Sequence, residues 1–205
     1  VLAAAGDYGA AEKELAVAMR LDPDSVDVMQ EAARLHFMLK RYEKAAASWD
    51  RYATLVETDI ASGGLLITCY TALGDRANVE RVAQRTMARA EKAVATDADN
   101  GSAMATIFSC LLCLGEAERA KEWARRAVLI DPDNLGMRYN LACDFVVAVH
   151  DHDMALEMLR PVCRNSGHEQ IAWIAADPDM DPLRDDPRFK ELVAEAEARL
   201  ATAQP

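Results

Sequence analysis

The sequence lacks several things, and each lack excludes something. No run of about eighteen apolar residues occurs, so no membrane-spanning helix is expected. There is no basic excess: 23 Lys and Arg stand against 34 Asp and Glu, a net charge of −11. Phosphate binding needs a basic face, so nucleic acid is not an expected partner. The N-terminus "VLAAAGDYGAAEKEL" has neither an initiator Met nor a positive n-region and does not read as a signal peptide. It reads as cut from a longer chain. No glycine-rich phosphate loop and no nucleophile–base pair has support, so enzyme activity is not expected and no cofactor is implied.

Aromatics make up only 6% of a chain that is 51% apolar, and alanine is very frequent, a composition that leans towards helix. Four of the five cysteines (Cys69, Cys110, Cys113, Cys143 and Cys163) lie within apolar stretches. An odd set placed this way predicts packed, reduced thiols and a cytoplasmic setting. Cys110 and Cys113 form C-x-x-C near a helix C-terminus, whereas a redox pair needs a helix N-terminus to lower its thiol pKa. His150 and His152 flank Asp151 in a turn without a ligand partner at metal spacing and read as a solvated loop.

The chain is periodic. "AGDYGAAEKEL", "LKRYEKAAASW" and "LGEAERAKEWA" each place a turn before an apolar helical pattern. Gly6 to Lys40, Lys40 to Gly74 and Gly115 to Val149 are each 34 residues, and Gly74 to Gly115 is 41. The seven extra residues equal about two helical turns and return the chain to nearly the same face. They predict a lengthened second helix through "NVERVAQRTMARAEKAVATD". Pro23 and Pro132, each 17 residues after Gly6 and Gly115, punctuate the joins between repeats, with Ala98 at the equivalent point.

These residues resemble the tetratricopeptide repeat family over nearly the whole chain. The matching positions are Gly6, Tyr8, Ala11, Leu15, Ala18 and Pro23; then Tyr42, Ala45 and Trp49; then Leu114, Gly115, Ala120, Ala124, Ala127 and Pro132. Leu141, Ala142, Ala155 and Leu159 match more loosely, with one extra residue in "AVHDHD". Alanine at a crossing lets two helices approach, and a large neighbour fills the groove beside it. The resemblance implies an all-α fold, a right-handed α-solenoid (superhelix) of antiparallel helix pairs closed by a C-terminal capping helix. The expected divisions are a truncated first repeat over 1–24, repeats over 25–59, 60–100, 101–134 and 135–167, and an acidic linker with the capping helix over 168–205. Val1 would enter late in the first helix of repeat one, leaving an apolar edge.

The segment "AADPDMDPLRDDPRF" copies the first aspartate spacing of a calcium loop. Counted from Asp177, however, Pro182 and Arg188 stand where such a loop needs glycine and a bidentate glutamate. Asp177-Pro178, Asp181-Pro182 and Asp186-Pro187 read instead as N-cap–proline pairs, the last opening an amphipathic helix through Phe189, Leu192, Val193, Ala196 and Leu200. No metal site is expected.

In this family the first helix of each pair lines the concave face. That implies partner-binding positions at Gln30, Arg34, Phe37 and Met38, at Thr68 and Thr71, at Ser109 and Leu112, and at Tyr139, Asn140 and Cys143. Family members that bind chaperones grip a terminal carboxylate with a Lys/Arg/Asn clamp. Here only Arg34 and Asn140 offer such groups, so a helix or extended peptide with apolar anchors is the expected partner.

Residues 74–200, and most specifically "RYNLAC" and "DPLRDDPRF", also resemble the C-terminal repeat region of bacterial class III adenylate cyclases. That resemblance implies a regulatory, protein-interacting region of a longer signalling protein, with its own N-terminal domain among the candidate partners. The alternatives are a small-ligand sensor using an apolar groove, and a self-associating (homo-oligomeric) scaffold.

Overall fold

A computed structural model describes residues 8–202. The turn expected at Gly6 and the place of Val1 in a first helix lie outside those residues. Among them there is no strand: the chain is all-α, with the helix-pair architecture of a tetratricopeptide solenoid. It forms two compact units, one ending at Ala90 and the other beginning at Glu91.

The first unit contains α1 (Tyr8–Leu21), α2 (Val26–Met38), α3 (Tyr42–Leu55), α4 (Ala61–Ala72) and the larger part of α5 (Arg76–Thr96). Successive helices α1 to α4 pack pairwise. Ala33, Ala45, Ala46, Trp49, Leu66, Cys69 and Val82 form the core, with Phe37, Tyr42 and Tyr70 packed around it. The alanines stand at the α2–α3 crossing, and the Trp49 side chain, 1% exposed, fills the groove beside them. Loss of such a buried indole removes about 3–5 kcal/mol. At the α4–α5 crossing a Cβ on Gly63 would lie 2.3 Å from Thr86 Oγ1, so only glycine permits that approach.

The second unit contains the end of α5, then α6 (Gly101–Cys113), α7 (Ala117–Ile130), α8 (Leu135–Asp144), a π-helical turn (Phe145–Val149), α9 (His152–Asn165), α10 (His168–Ala176), a 3-10 helix (Pro178–Leu183) and α11 (Pro187–Thr202). α6 packs on α7 and α8, α8 on α9, and α11 on α9 and α10. Phe108 and Phe145 meet at 5.1 Å between ring centroids inside this core. α11 buries Phe189, Leu192, Ala196 and Leu200. Arg199 fixes it by donating to the carbonyls of Cys163 and Ser166, at the end of α9.

The periodicity has a backbone cause. Lys40 (φ 55), Gly74 (φ 69), Gly115 (φ 80) and His150 (φ 57) all adopt the left-handed conformation. At the first three, the left-handed residue's N–H bonds the carbonyl three residues back and the next N–H the carbonyl five back: Phe37 and His36, Thr71 and Tyr70, Leu112 and Leu111. This is the Schellman arrangement, which satisfies the free carbonyls of a helix end. The fourth such residue is His150 rather than Val149, one later than the 34-residue spacing predicts. The π turn at Phe145–Val149 absorbs the extra residue, and the Asp151 N–H reaches Phe145 O. α5 has 21 residues against 14 in α3 and 14 in α7.

The joins are N-capped turns. Pro23 and Pro132 occupy the turns themselves, not the first helical position, and the caps follow two residues later. Ser25, Asn100 and Asn134 accept from the backbone N–H groups of Val28, Ala103 and Met137. Ala98 sits in the equivalent turn, which the Asn100 N–H closes on Asp97 O at 3.2 Å.

Candidate functional site

The predicted positions of the first unit lie along α2 and α4. Arg34 and Met38 are exposed and Gln30 is half-buried. Phe37 meets Tyr42 and Trp49 edge-on at 6.0 and 5.6 Å, so its ring packs against the core. Thr68 and Thr71 are exposed, Thr68 bonding back to Gly64 O. Nearby, Tyr70 donates to Asp50 at 2.5 Å, and Arg81 and Arg85 donate to the same carboxylate at 2.8 and 3.1 Å. Burial opposes the charge on Asp50, yet the hydrogen bonds from Arg81 and Tyr70 hold its pKa below the usual carboxylate range.

In the second unit the structure draws predicted and unpredicted residues together. Ser109 on α6 donates to the Asp144 carboxylate on α8, and Tyr139 on α8 donates to Asp177 after α10. The Trp173 indole N–H donates to the Tyr139 hydroxyl at 2.7 Å, while the Trp173 side chain is 60% exposed. Cys143 Sγ and carboxylate oxygens of Asp177 and Asp179 all lie within 4.8 Å of one another. Leu112 is half-buried and Asn140 exposed.

Sequence reasoning did not single out Asp144 or Trp173, and met Asp179 only in the calcium-like aspartate spacing, because the three come from different elements. Its account of the aspartates holds in part. Asp177 is the N-cap of the 3-10 helix, accepting from the Asp179 N–H at 2.9 Å, and Asp186 accepts from the Arg188 N–H at 2.8 Å at the start of α11. Asp181 caps nothing. It lies inside the 3-10 helix and pairs with Arg184 at 2.5 Å, while Arg184 also donates to the carbonyls of Ala175 and Asp177. Arg184 thereby ties the 3-10 helix to the end of α10.

Electrostatically, this face carries uncompensated negative charge. Among the described residues, no Lys or Arg pairs with Asp144, Asp177 or Asp179. Burial pushes Asp144 up to about 6, with the neighbouring Asp179 adding to the rise against the Ser109 hydrogen bond. Asp179 is raised by burial and then by Asp177 and Asp181. Burial also lifts the Cys143 thiol to about 12, which keeps it protonated at neutral pH. Cys110 and Cys113 are free thiols, lifted by burial to about 12 and about 11, the opposite of what a redox C-x-x-C requires. Elsewhere in this unit an open cavity of about 470 Å³ lies over the π turn, lined by Lys121, Val149, His150, Asp151, His152 and Asp153. It includes none of the predicted partner-binding residues.

These helix pairs, closed by left-handed turns, define the tetratricopeptide fold class. A family model described as "Tetratricopeptide repeat" matches residues 2–53. Among solved structures, TTC0263, a thermophilic TPR protein in Thermus thermophilus, is similar with a TM-score of 0.54 and 18% identity, over 96% of this chain and 94% of that one. A MamA RS-1 ArsTM double mutant is similar at 0.51 and 16%, over 80% of this chain and 87% of that one. A further MamA structure is similar at 0.50 and 14%, over 80% and 91%. At these identities the likeness shows the fold. No curated protein matches the chain. No described helix is long and apolar enough to cross a membrane.

Proposed function

We propose that the chain is a non-enzymatic protein-interaction and regulatory module. In this reading it is the C-terminal tetratricopeptide region of a longer bacterial, cytoplasmic signalling protein such as an adenylate cyclase. Its helix pairs would follow the divisions expected from the sequence. The first helices of the pairs bind a peptide, a helix or the protein's own N-terminal domain, and the rigid stacking of the pairs passes the bound geometry on. The fold supports this reading, because tetratricopeptide arrays serve as binding scaffolds. The observation that carries it is the Tyr139–Trp173 pair: a large indole left 60% exposed on the expected binding face of the second unit. The resemblance of "RYNLAC" and "DPLRDDPRF" to the cyclase region supports the signalling context.

The test is affinity capture with the wild-type chain and with Tyr139→Ala/Arg34→Ala, read by mass spectrometry. Loss of specific partners from the variant is expected, and an unchanged set would overturn the reading. For the cyclase context, cyclic AMP production by the full protein with and without these repeats should differ.

A second reading, a self-association scaffold, is favoured by one observation. Val17, Met19 and Leu21 on α1 are 42%, 40% and 81% exposed. Light scattering over a range of concentrations separates the two, since only self-association makes the apparent mass rise.

A further inference from the structure

We propose that the α8–α10 face of the second unit seats a basic side chain, arginine or lysine, of a peptide partner, laid on the Trp173 indole among the carboxylates of Asp177, Asp179 and Asp144. This rests on the peptide-binding reading above and names the chemistry of the anchor.

Two independent observations converge. The first is the indole. Its N–H is already engaged by Tyr139, which fixes the ring's edge, yet 60% of the side chain faces solvent. An exposed, oriented indole is the best of the aromatic platforms for a cation, and a guanidinium also stacks on it. The second is charge. The Asp177 carboxylate is reached from that ring through one residue, since Trp173 donates to Tyr139 and Tyr139 to Asp177. Asp179 lies beside it, within the 4.8 Å group that includes Cys143 Sγ, and Asp144 follows Cys143 on α8. No described Lys or Arg answers these three carboxylates, although Arg184 and Arg188 nearby do pair with Asp181 and Asp186. Burial first, and then neighbouring carboxylates, raise the pKa of Asp144 and Asp179, and a cation seated there would relieve that repulsion. A guanidinium supplies that cation and has five N–H donors for the carboxylate oxygens.

A metal ion is the competing occupant of the same carboxylates. It fits less well. The candidate ligands are one thiol and two carboxylates, and no histidine joins them among the described residues. A metal would also leave the exposed indole without a role.

The test uses the whole chain. A phage-displayed random dodecapeptide library is selected on immobilised protein at about 0.15 M salt, where diffuse charge attraction is largely screened. The most enriched peptide is then titrated by fluorescence anisotropy, alongside a counterpart with citrulline for each arginine and glutamine for each lysine. Enrichment of Arg or Lys is expected, with about tenfold weaker binding of the neutral counterpart and of the Trp173→Ala and Asp179→Asn variants. Unchanged binding by Arg34→Ala, on the other unit, would place the anchor here. Enriched peptides without basic residues, or basic ones that bind both variants equally, would overturn the basic anchor and leave the peptide-binding reading standing. Failure to enrich any peptide would overturn both. Calorimetry with zinc chloride covers the metal alternative: saturable binding lost in Cys143→Ser but kept in Trp173→Ala would also overturn the proposal.

Discussion

Ser109 on α6 donates its hydroxyl to the carboxylate of Asp144 on α8, and so fixes a half-buried acid between two helices. That acid sets a pH dependence. Its folded pKa is about 6, raised first by burial, against an ordinary value of 3.8. Between those values the unfolded chain has already lost the proton that the folded chain keeps. Stability from this group therefore falls as pH rises from about 4 to about 6, and the penalty is complete above that. Two units correspond to about 3 kcal/mol as an upper figure. Asp144→Asn keeps an oxygen acceptor for Ser109 but has no charge to bury. Urea unfolding should show the variant near wild type at about pH 4 and more stable by about 1–3 kcal/mol at about pH 7.5. A gap that does not widen with pH would contradict the assignment.

Gly63 and Thr86 give a packing prediction. A Cβ at position 63 meets Oγ1, Cγ2 and Cβ of Thr86 at 2.3, 2.4 and 2.9 Å, and Thr86 is buried, 3% exposed. A β-branched residue has little rotamer freedom to yield. Gly63→Ala should therefore lower stability by about 1–3 kcal/mol despite alanine's better helix propensity. Adding Thr86→Ser removes Cγ2 and should recover part of the loss. If Gly63→Ala proves neutral or stabilising in urea titration, the α4–α5 contact is looser than the structure has it.

Lys40 is the converse case. It holds φ 55 where Gly74 and Gly115 serve at the equivalent turns. A Cβ in the left-handed region costs about 1 kcal/mol that glycine avoids, partly offset because glycine frees the unfolded chain. Lys40→Gly should stabilise the protein by a few tenths to about 1 kcal/mol, and Gly74→Ala should destabilise it by about 1 kcal/mol. Thermal midpoints moving in the same direction for both would refute the shared turn.

The same turns show how much was legible in the sequence. Glycine and its substitutes at fixed spacing report a backbone conformation that recurs, and alanine at the crossings reports helix contact. Both are local signals, so the repeat was readable. The second unit's polar face was not. Ser109–Asp144, Tyr139–Asp177 and Tyr139–Trp173 join residues 35, 38 and 34 positions apart, on neighbouring helices. The helix position of Tyr139 puts it among the expected binding residues, but its partners depend on how the 3-10 helix docks. Asp177 is a cap, as its Asp-Pro pair implies, and its second oxygen also takes Tyr139. Phe37, expected on the binding face, is half-buried and packs against Tyr42 and Trp49.

The thiols give the last prediction. Burial raises Cys69, Cys113 and Cys163 to about 11 and Cys110 and Cys143 to about 12, from an ordinary 9.0. The thiolate is the reacting form, so reactivity follows its population. At pH 8 a thiol of ordinary pKa is about one-tenth ionised and one at 11 about one-thousandth, roughly a hundredfold difference. Alkylation of the native chain by iodoacetamide should therefore be at least about a hundredfold slower than in urea. Of the two half-buried thiols, Cys113 and Cys143, Cys113 has the lower pKa and should react first. The two sit differently. Cys113 closes the C-x-x-C at the end of α6, where the helix dipole disfavours a thiolate, so it should form no disulfide with Cys110 under a glutathione buffer. Cys143 lies beside Asp177 and Asp179, and a basic peptide bound there should shield it from the reagent. Rapid native alkylation of Cys110, or a reversible Cys110–Cys113 disulfide, would show that the helix end opens far more readily than its burial allows.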